Sequence, residues 1–472
     1  MRARLRSGLA TLAGLAATLT LGTIKPAEAV PAFAMQTGYP CQQCHIGALG
    51  PQLTPFGRGF KIKGYTIRGG EGLASHIPLA LWVQSGFENS QKAQAPGNVP
   101  PHFNNNDNAD VDAISLFIAG GVNEHLGAFI QITYDNTAKA LFEDNTDIRV
   151  VDTVQVLGKD TDIGLSFNNA PSLSDPYNSN YIWGYPFIGE FYSPGSNAGT
   201  ILSGRLQGNS YGVNAYAWWN DTLYLDAGLY ETQAPGMLKL LGEAYDPGSA
   251  TGVEPYLAAT YAYFWGNNNV HLGGVFFEGR FNPNNPATLS SYGTVGNYGH
   301  DKYYDFMVDN GYQYMGDDDV HIFTVDGYYD YEIQDLEGSS NPNPLNPAYG
   351  SSQAHNDLQE FRETGTYYYR QTYGATVSFD SIWGKKNQLL YNTGAPQTGS
   401  INASPNTTLV SMEADWVPFG KENSFLRPYL NWKLGLKYTM YTKFNGGTTN
   451  YDGYGRNASD NNTIFLFLWT VF

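Results

Sequence analysis

The stretch that decides the fold lies near the C-terminus, where residues 430–440 read LNWKLGLKYTM. Every even-numbered position from Leu430 to Met440 carries an apolar or aromatic side chain, and the odd-numbered positions carry Asn, Lys, Gly, Lys and Thr. Successive side chains of a β-strand point to opposite faces, so this alternation predicts a strand with one apolar face and one polar face. Strands of outer-membrane barrels have this pattern, with the apolar face toward lipid and the polar face toward the interior.

The same alternation recurs along the rest of the chain. Residues 222–230 repeat it, and runs rich in Gly, Asn, Asp and Pro separate such segments from one another. Sixteen strands are predicted in this way, at residues 77–87, 111–119, 127–134, 147–156, 161–167, 210–219, 222–230, 255–265, 270–280, 303–314, 320–333, 366–380, 388–392, 406–416, 425–443 and 462–472. No amphipathic helix stands out, so the chain is predicted to be all-β, an antiparallel barrel of about sixteen strands.

The connections between these predicted strands alternate in length. Eight of them are long, around residues 88–110, 135–146, 168–209, 231–254, 281–302, 334–365, 393–405 and 444–461. The others are short, such as residues 220–221 and 316–319. Long loops on one side and tight turns on the other are the organisation of a closed outer-membrane barrel with an even number of strands. A soluble β-sandwich or propeller is the alternative, and neither fold requires its loops to alternate in this way.

Aromatic residues support an outer-membrane location. The last strand ends the chain on Phe472 and resembles the C-terminal strand that outer-membrane barrels present to their insertion machinery. Tryptophan and tyrosine form girdles at the two membrane interfaces of such barrels. Six tryptophans near predicted strand ends suit this role: Trp82, Trp183, Trp218, Trp383, Trp416 and Trp432.

Composition narrows the function classes. The 472 residues include 54 Gly, 35 Tyr and 25 Phe, and only 15% are charged, which argues against a disordered chain and against a coiled coil. The formal net charge of −17 provides no basic surface for a phosphate backbone. We therefore expect no nucleic-acid partner.

The N-terminus has the features of an export signal. Arg2, Arg4 and Arg6 precede an apolar stretch at residues 9–24, and Ala27-Glu28-Ala29 is a cleavage site of the small-x-small type. Cleavage after Ala29 gives the mature chain a formal charge of −20. An uncleaved anchor is the alternative, and no later run is long and apolar enough for a transmembrane helix.

Both cysteines of the chain belong to one motif, Cys41-Gln42-Gln43-Cys44-His45. Two thiols at this spacing form thioethers with the two vinyl groups of haem c, and the histidine that follows ligates the iron. The alternative is a disulfide in a thioredoxin-like module, which requires a βαβ setting. Residues 46–75 are too rich in Gly and Pro for that setting, so the motif predicts one covalent haem.

The sixth iron ligand stays open. Met35 and His76 are the nearest candidates along the chain, and another group or an open position is also compatible with haem c. The same segment holds a basic group whose role is either to pair with haem propionates or to line an acidic cavity: Arg58, Lys61, Lys63 and Arg68.

A haem motif directly before a porin-like barrel is similar to one known family. Residues 30–45, VPAFAMQTGYPCQQCH, together with residues 53–61, LTPFGRGFK, and Gly64-Tyr65 resemble the fused monohaem cytochrome c–porin family, which includes outer-membrane iron-oxidising cytochromes. The motif match covers about 35 residues. The barrel matches in length and architecture only.

The resemblance implies a division of the chain and a role for each motif residue. Residues 1–29 are then a signal peptide, residues 30–75 a monohaem cytochrome c segment that plugs the lumen, and residues 76–472 the outer-membrane barrel. Cys41 and Cys44 would carry the thioethers and His45 would ligate the iron. Geometry agrees with a haem in the lumen, because the apolar band of such a barrel is ~25 Å tall and one haem outside it cannot bridge that distance.

Two functions remain open at this point. The first is transfer of electrons from an extracellular donor, Fe(II) or another one-electron donor, to a periplasmic c-type cytochrome or cupredoxin, as an Fe(II):cytochrome c oxidoreductase. The second is a diffusion porin with a structural or sensory haem plug. An acidic strand face formed by Asp326, Asp330 and Glu332 favours the first, because it would attract cations, although plain cation porins also have acidic interiors.

Overall fold

The computed structural model describes the following parts of the chain: residues 32–69, 78–178, 194–196, 198–233, 235–241, 248–283, 299–316, 320–340, 351–392, 394–426 and 429–472. The predicted signal peptide, His76 and Trp183 lie outside the described residues.

One antiparallel sheet contains all the described strands. They are β1 (Leu79–Ser90), β2 (Asn108–Gly121), β3 (Leu126–Asp135), β4 (Ala140–Val156), β5 (Lys159–Asn168), β6 (Ser210–Trp219), β7 (Leu223–Thr232), β8 (Gly248–Ala250), β9 (Glu254–Trp265), β10 (Asn268–Pro283), β11 (Asp301–Met315), β12 (His321–Asp335), β13 (His355–Tyr369), β14 (Tyr373–Gly384), β15 (Thr407–Trp416), β16 (Asn431–Lys443) and β17 (Thr463–Val471).

The sheet closes on itself. Strand β1 pairs with β2 on one side and with β17 on the other, with Trp82 opposite Val471 and Ser90 opposite Thr463. The short β8 and the longer β9 both pair with β10, so they share one position in the sheet. The seventeen segments therefore form a closed antiparallel barrel of sixteen strand positions, which confirms the predicted fold class.

Side-chain exposure in β16 shows which face points outward. Lys433 and Lys437 are each 4% exposed, whereas Leu434 is 40% and Leu436 is 52% exposed. The apolar face is thus on the outside and the polar face inside, as expected for a barrel whose outer surface contacts lipid. This arrangement supports the predicted location of the protein in the bacterial outer membrane.

One pair of strands differs from its prediction. Residues 366–380 were predicted as one strand but contain the end of β13, a tight turn and the start of β14, and residues 388–392 are mostly helical. Arg370 and Gln371 form the turn with φ angles of 53° and 52°. The turn has no Gly, Asn, Asp or Pro, so the usual turn residues do not mark it. The predicted strand number is correct because these two errors cancel.

The loop lengths also differ in two places. The connection from β3 to β4 contains only residues 136–139. The loop was predicted at residues 135–146, but β4 already begins at Ala140 and includes Asp144 and Asn145. On the short-turn side, residues 417–430 form a longer connection between β15 and β16. The predicted alternation of long and short connections therefore holds, except for one short connection among the long loops and one longer connection among the short turns.

Within the described residues, three short α-helices precede the barrel and three lie in its loops. They are α1 (Ala32–Thr37), α2 (Cys41–Cys44), α3 (Pro55–Ile62), α4 (Pro235–Leu241), α5 (Glu337–Ser340) and α6 (Gln388–Tyr391). Thr54 caps α3 by accepting a hydrogen bond from the Gly57 N–H, and Pro55 occupies the first turn, where its missing N–H costs nothing. Among the described residues, no helix is long and apolar enough to cross a membrane.

Residues 32–69, which we call the plug, lie inside the barrel and bond to its wall on many sides. These contacts are Tyr65 Oη to Asp147 of β4 (2.6 Å), Lys63 to Asp162 of β5 (2.7 Å), Tyr216 of β6 to the Ile62 carbonyl (2.7 Å), Arg58 to Gln313 of β11 (2.6 Å), Gln52 to Asp326 of β12 (2.5 Å) and Asn431 of β16 to the Ala48 carbonyl (2.8 Å). Because the partners belong to strands spread around the barrel, the wall holds the plug across the lumen.

Candidate functional site

Local backbone hydrogen bonds fix the C-x-x-C-H motif. The His45 N–H donates to the Cys41 carbonyl (2.9 Å), and the Thr54 N–H donates to the Cys44 carbonyl (3.0 Å). His45 also forms a β-bridge with Leu53. The motif is thereby joined to the start of α3, and its two thiols are not linked in a disulfide.

Helix α3 touches the motif at Gly57. A Cβ atom built there would stand 2.1 Å from the Cys44 carbonyl oxygen, which no side chain tolerates. The absence of a side chain at Gly57 is therefore what allows α3 to approach α2.

A cavity of about 430 Å³ lies beside the motif, and its lining includes Cys41, Cys44 and His45. Barrel and plug both contribute to its walls. Aromatic rings form a continuous series along it, with centroid distances of 5.2 Å for Trp469–Trp82, 6.3 Å for Trp82–Phe117, 5.7 Å for Phe117–Phe129, 6.3 Å for Phe129–Phe33 and 4.9 Å for Phe33–Phe60. A wall of this kind suits a large, flat, apolar ligand.

The histidine of the motif is neutral and has an unsatisfied nitrogen. Burial lowers the pKa of His45 to about 4, and the backbone of Gly50 opposes that shift. Its Nδ1 atom is buried without a hydrogen-bond partner. A metal ligand must be in the unprotonated form, so the ring is in the correct state to bind iron.

Burial keeps the Cys44 thiol protonated. Burial, together with the neighbouring Cys41, raises the pKa of the Cys44 thiol to about 12. Such a thiol is a poor nucleophile and a weak candidate for thiol–disulfide exchange. This property disfavours the thioredoxin-like alternative for the motif.

Two tryptophans of the cavity wall carry unsatisfied donors. The indole N–H groups of Trp82 and Trp469 are buried without hydrogen-bond partners, and both residues line the cavity. A buried donor without an acceptor is costly, and these two N–H groups could donate to a polar atom of a molecule bound in the cavity.

Trp82 was expected in an interfacial girdle, and that expectation is wrong. It shares a strand face with Gln84 and Glu88, which are buried, and it points to the interior. Trp218 is also internal and packs against Ile62 of the plug. The sequence of β1 already indicated this orientation, because Trp82 is at alternate positions with the polar residues Gln84 and Glu88, and alternate residues of a strand point to the same side.

The four basic residues of the plug have different positions, and Lys61 is the one among them that lines the cavity. Arg58 donates to Gln313, Lys63 pairs with Asp162, and Arg68 donates to the Gly121 carbonyl. The four residues therefore do not share one role, and Lys61 is the one whose side chain could contact a ligand in this cavity.

The structure does not identify the sixth ligand. Met35 is buried but is not a lining residue, and His76 lies outside the described residues. Among the described lining residues, His45 is the one histidine and there is no methionine. The sixth position stays open.

The acidic face of β12 is internal, as predicted, but it is covered. Asp326 accepts a hydrogen bond from Gln52 of the plug (2.5 Å), and Glu332 accepts one from the Ile201 backbone N–H (2.6 Å). Ile201 belongs to the connection between β5 and β6, and we call its described residues, 169–178, 194–196 and 198–209, the β5–β6 loop. The sequence did not show that this loop folds back inside the barrel.

A haem c fits these residues. The cavity is large and mainly apolar, two thiols and one neutral imidazole face it from the plug, and unsatisfied N–H groups line it. In such a site Cys41 and Cys44 would form the thioethers and His45 would hold the iron.

Comparison with known proteins finds barrels of similar architecture. No protein-family model and no curated protein matches the chain. Among solved structures, the anion-selective porin from Comamonas acidovorans has a TM-score of 0.42 and 10% identity, and covers 84% of this chain and 98% of its own. The outer membrane channel DcaP of Acinetobacter baumannii has a TM-score of 0.42 and 11% identity, and covers 84% and 96%. In-vitro folded OmpT of Vibrio cholerae has a TM-score of 0.40 and 13% identity, and covers 84% and 96%. These similarities are too low to bear on function, and the fold assignment rests on the strand pairing.

Proposed function

We propose that the protein is an outer-membrane c-type cytochrome that moves single electrons across the membrane through one haem held inside the barrel. The observation that carries this proposal is the cavity of about 430 Å³ bounded by Cys41, Cys44 and His45. The motif stands at the edge of a space with the size and polarity that a macrocycle needs. A plug with a purely structural role would not require such a space.

The residues of the site have distinct tasks in this function. Haem c, when bound, supplies a one-electron iron couple whose potential depends on ligation and burial. Cys41 and Cys44 would fix the position of the haem covalently, and His45 would ligate its iron. The aromatic wall from Trp469 to Phe60 excludes water and so limits side reactions.

The partners follow from the resemblance of the motif segment to cytochrome–porin fusions. We propose Fe(II), or another one-electron donor, on the extracellular side, where each Fe(II) loses one electron and becomes Fe(III). A periplasmic c-type cytochrome or cupredoxin would receive that electron. Two carboxylates of the acidic face of β12 already accept hydrogen bonds, Asp326 from Gln52 and Glu332 from the Ile201 N–H, so we do not assign iron binding to that face.

A diffusion porin with a haem plug is the second candidate function. The closed barrel supports it, since porins share this architecture. The bonds from the plug to β4, β5, β6, β11, β12 and β16 favour the cytochrome, because they hold the plug across the path that a solute would take.

The test uses the full-length protein purified in detergent. We expect covalent haem staining after denaturing electrophoresis, lost when both Cys41→Ser and Cys44→Ser are introduced, and reduction of the ferric protein when Fe(II) is added without oxygen. Absence of haem from the wild-type protein would overturn the proposal. A haem that dithionite reduces but excess Fe(II) does not would exclude iron as the donor and favour the plugged porin.

A further inference from the structure

One face of α3 extends along the cavity from the haem motif. Gly57, Phe60 and Lys61 all line the cavity, and their spacing of three and four residues places them on the same side of the helix. Gly57 contacts the Cys44 backbone. Lys61 lies one turn further along, a rise of about 6 Å. If a ligand is attached at Cys44, the part of it that is most distant from Cys44 would therefore lie beside Lys61.

The two ends of the cavity differ in polarity. At one end, Cys41 packs with Trp469 and Val471 against an apolar cluster that contains Val417. Val471 ends β17 and Val417 directly follows β15, so this end is on the short-turn side of the barrel. The polar part of the lining includes Lys61, Asn178, Gln207 and Asp144, and Gln207 donates to Asp144 Oδ1 near the start of β4, away from the short turns (2.7 Å).

Lys61 is a buried cation at the polar end. Its side chain is 4% exposed, and its Nζ donates to the Asp175 carbonyl (2.6 Å) and to Asn178 Oδ1 (2.5 Å), both of which are neutral acceptors. The charged groups around it are Asp147, Asp175, Asp226 and Arg149. Burial lowers the pKa of Lys61 to about 7, so a carboxylate placed next to it would stabilise its charged form.

We propose that Lys61 binds the propionate edge of the haem, so that the thioether edge faces the short-turn side and the propionate edge faces the β5–β6 loop. The proposal rests on the haem function argued above. In haem c the two thioether substituents and the two propionates occupy opposite edges of the ring. With Cys41 at the apolar end, the propionates reach the end where Lys61 provides a charge-assisted hydrogen bond.

This orientation assigns a direction to each haem edge. The short turns of outer-membrane barrels face the periplasm, so the thioether edge lies nearest the periplasmic carrier. Tyr39, two residues before Cys41 in the chain, also lines the cavity and is 42% exposed. The β5–β6 loop, which holds Lys61 through Asp175 and Asn178, covers the other edge.

The test compares Lys61→Gln with Lys61→Arg and with Lys63→Gln. Lys63 is the matched control because it lies two residues away but pairs with Asp162 of the wall and is 37% exposed. An equilibrium redox titration should give a lower reduction potential for Lys61→Gln, because loss of a nearby cation favours the ferric state. Lys61→Arg should restore most of the potential, and Lys63→Gln should change it little because exposed charges are screened.

A second measurement detects the propionates directly. Haem made from 5-aminolevulinate labelled with carbon-13 at its carboxyl carbon gives isotope-shifted propionate bands in redox-difference infrared spectra. These bands should move in Lys61→Gln and stay in place in Lys61→Arg and Lys63→Gln. A structural role of Lys61 alone would not move them selectively.

The outcomes separate this proposal from the haem function. A wild-type protein without covalent haem contradicts the proposed function. A haem-loaded Lys61→Gln protein whose potential and propionate bands match those of Lys63→Gln contradicts the orientation while leaving the haem function intact. If Lys61→Gln fails to load haem, the propionate bands of Lys61→Arg are compared with those of the wild type. Arginine retains the positive charge, so a shift of these bands in Lys61→Arg would contradict the proposal.

Discussion

Gly57 of α3 lies against the carbonyl oxygen of Cys44, with room for a hydrogen but none for a methyl group. A Cβ at this position would be 2.1 Å from that oxygen. Two residues along the same helix, a Cβ at Gly59 would have as its nearest neighbour a ring carbon of Trp218 at 4.0 Å, an ordinary contact. The two glycines therefore provide a matched pair of sites.

We predict that Gly57→Ala lowers the amount of haem bound per protein, because the methyl group forces α3 away from the motif and shifts the cavity wall. Gly59→Ala should load haem as the wild type does, since alanine stabilises a helix relative to glycine by up to about 1 kcal/mol. The measurement is the ratio of haem absorbance to protein. Equal loading of the two variants would contradict the predicted role of the contact.

A buried charge cluster inside the barrel gives the second prediction. Lys433 Nζ lies 2.9 Å from Glu413 and 3.5 Å from Asp415, and all three are buried. Lys433→Met would leave two carboxylates without their cation, so we expect a loss of about 3–5 kcal/mol in the free energy of unfolding. Urea unfolding in lipid vesicles measures this loss.

The control for that change is Lys385→Met. Lys385 pairs with Asp357 at 3.0 Å, but its side chain is 55% exposed. An exposed ion pair contributes about 0–1 kcal/mol, so this variant should unfold almost as the wild type does. A loss for Lys433→Met that is as small as the loss expected for Lys385→Met would contradict the predicted role of the buried cluster.

The barrel could be predicted from the sequence because its signal is local. In β16 the alternation of Leu434 and Leu436 with Lys433 and Lys437 is the same as the alternation of exposed and buried side chains. The motif at Cys41 and its neighbours is also local. Both patterns depend on residues close together in the chain.

The features that could not be predicted depend on distant residues or unusual turns. Arg370 and Gln371 adopt left-handed φ angles without a glycine, so no residue type marked that turn. The cavity brings the plug and β1 together with the β5–β6 loop and β17, which are far from them in sequence. Contacts such as Trp82 with Trp469 arise only when the sheet closes.

The third prediction concerns the iron ligands. Met35 is buried outside the cavity lining, so Met35→Leu should leave the absorption spectra of the ferric and ferrous protein unchanged. His45→Ala is the contrasting variant, and it should change both spectra because the proximal nitrogen is lost. A spectral change in Met35→Leu equal to that of His45→Ala would show that Met35 reaches the iron.

The last prediction tests whether the plug closes the lumen. In planar lipid bilayers the wild-type protein should conduct ions poorly, because the plug bonds to strands from β4 to β16. Deleting residues 32–69 leaves every strand pair intact, so the barrel should still form. On a denaturing gel, the unheated deletion variant should then migrate differently from the boiled one. Its conductance should rise and favour cations, since the deletion uncovers Asp326 of β12. Adding Asp326→Asn to the deletion should weaken that selectivity. High conductance in the wild type, equal to that of the deletion, would contradict a closed lumen and support diffusion as the function.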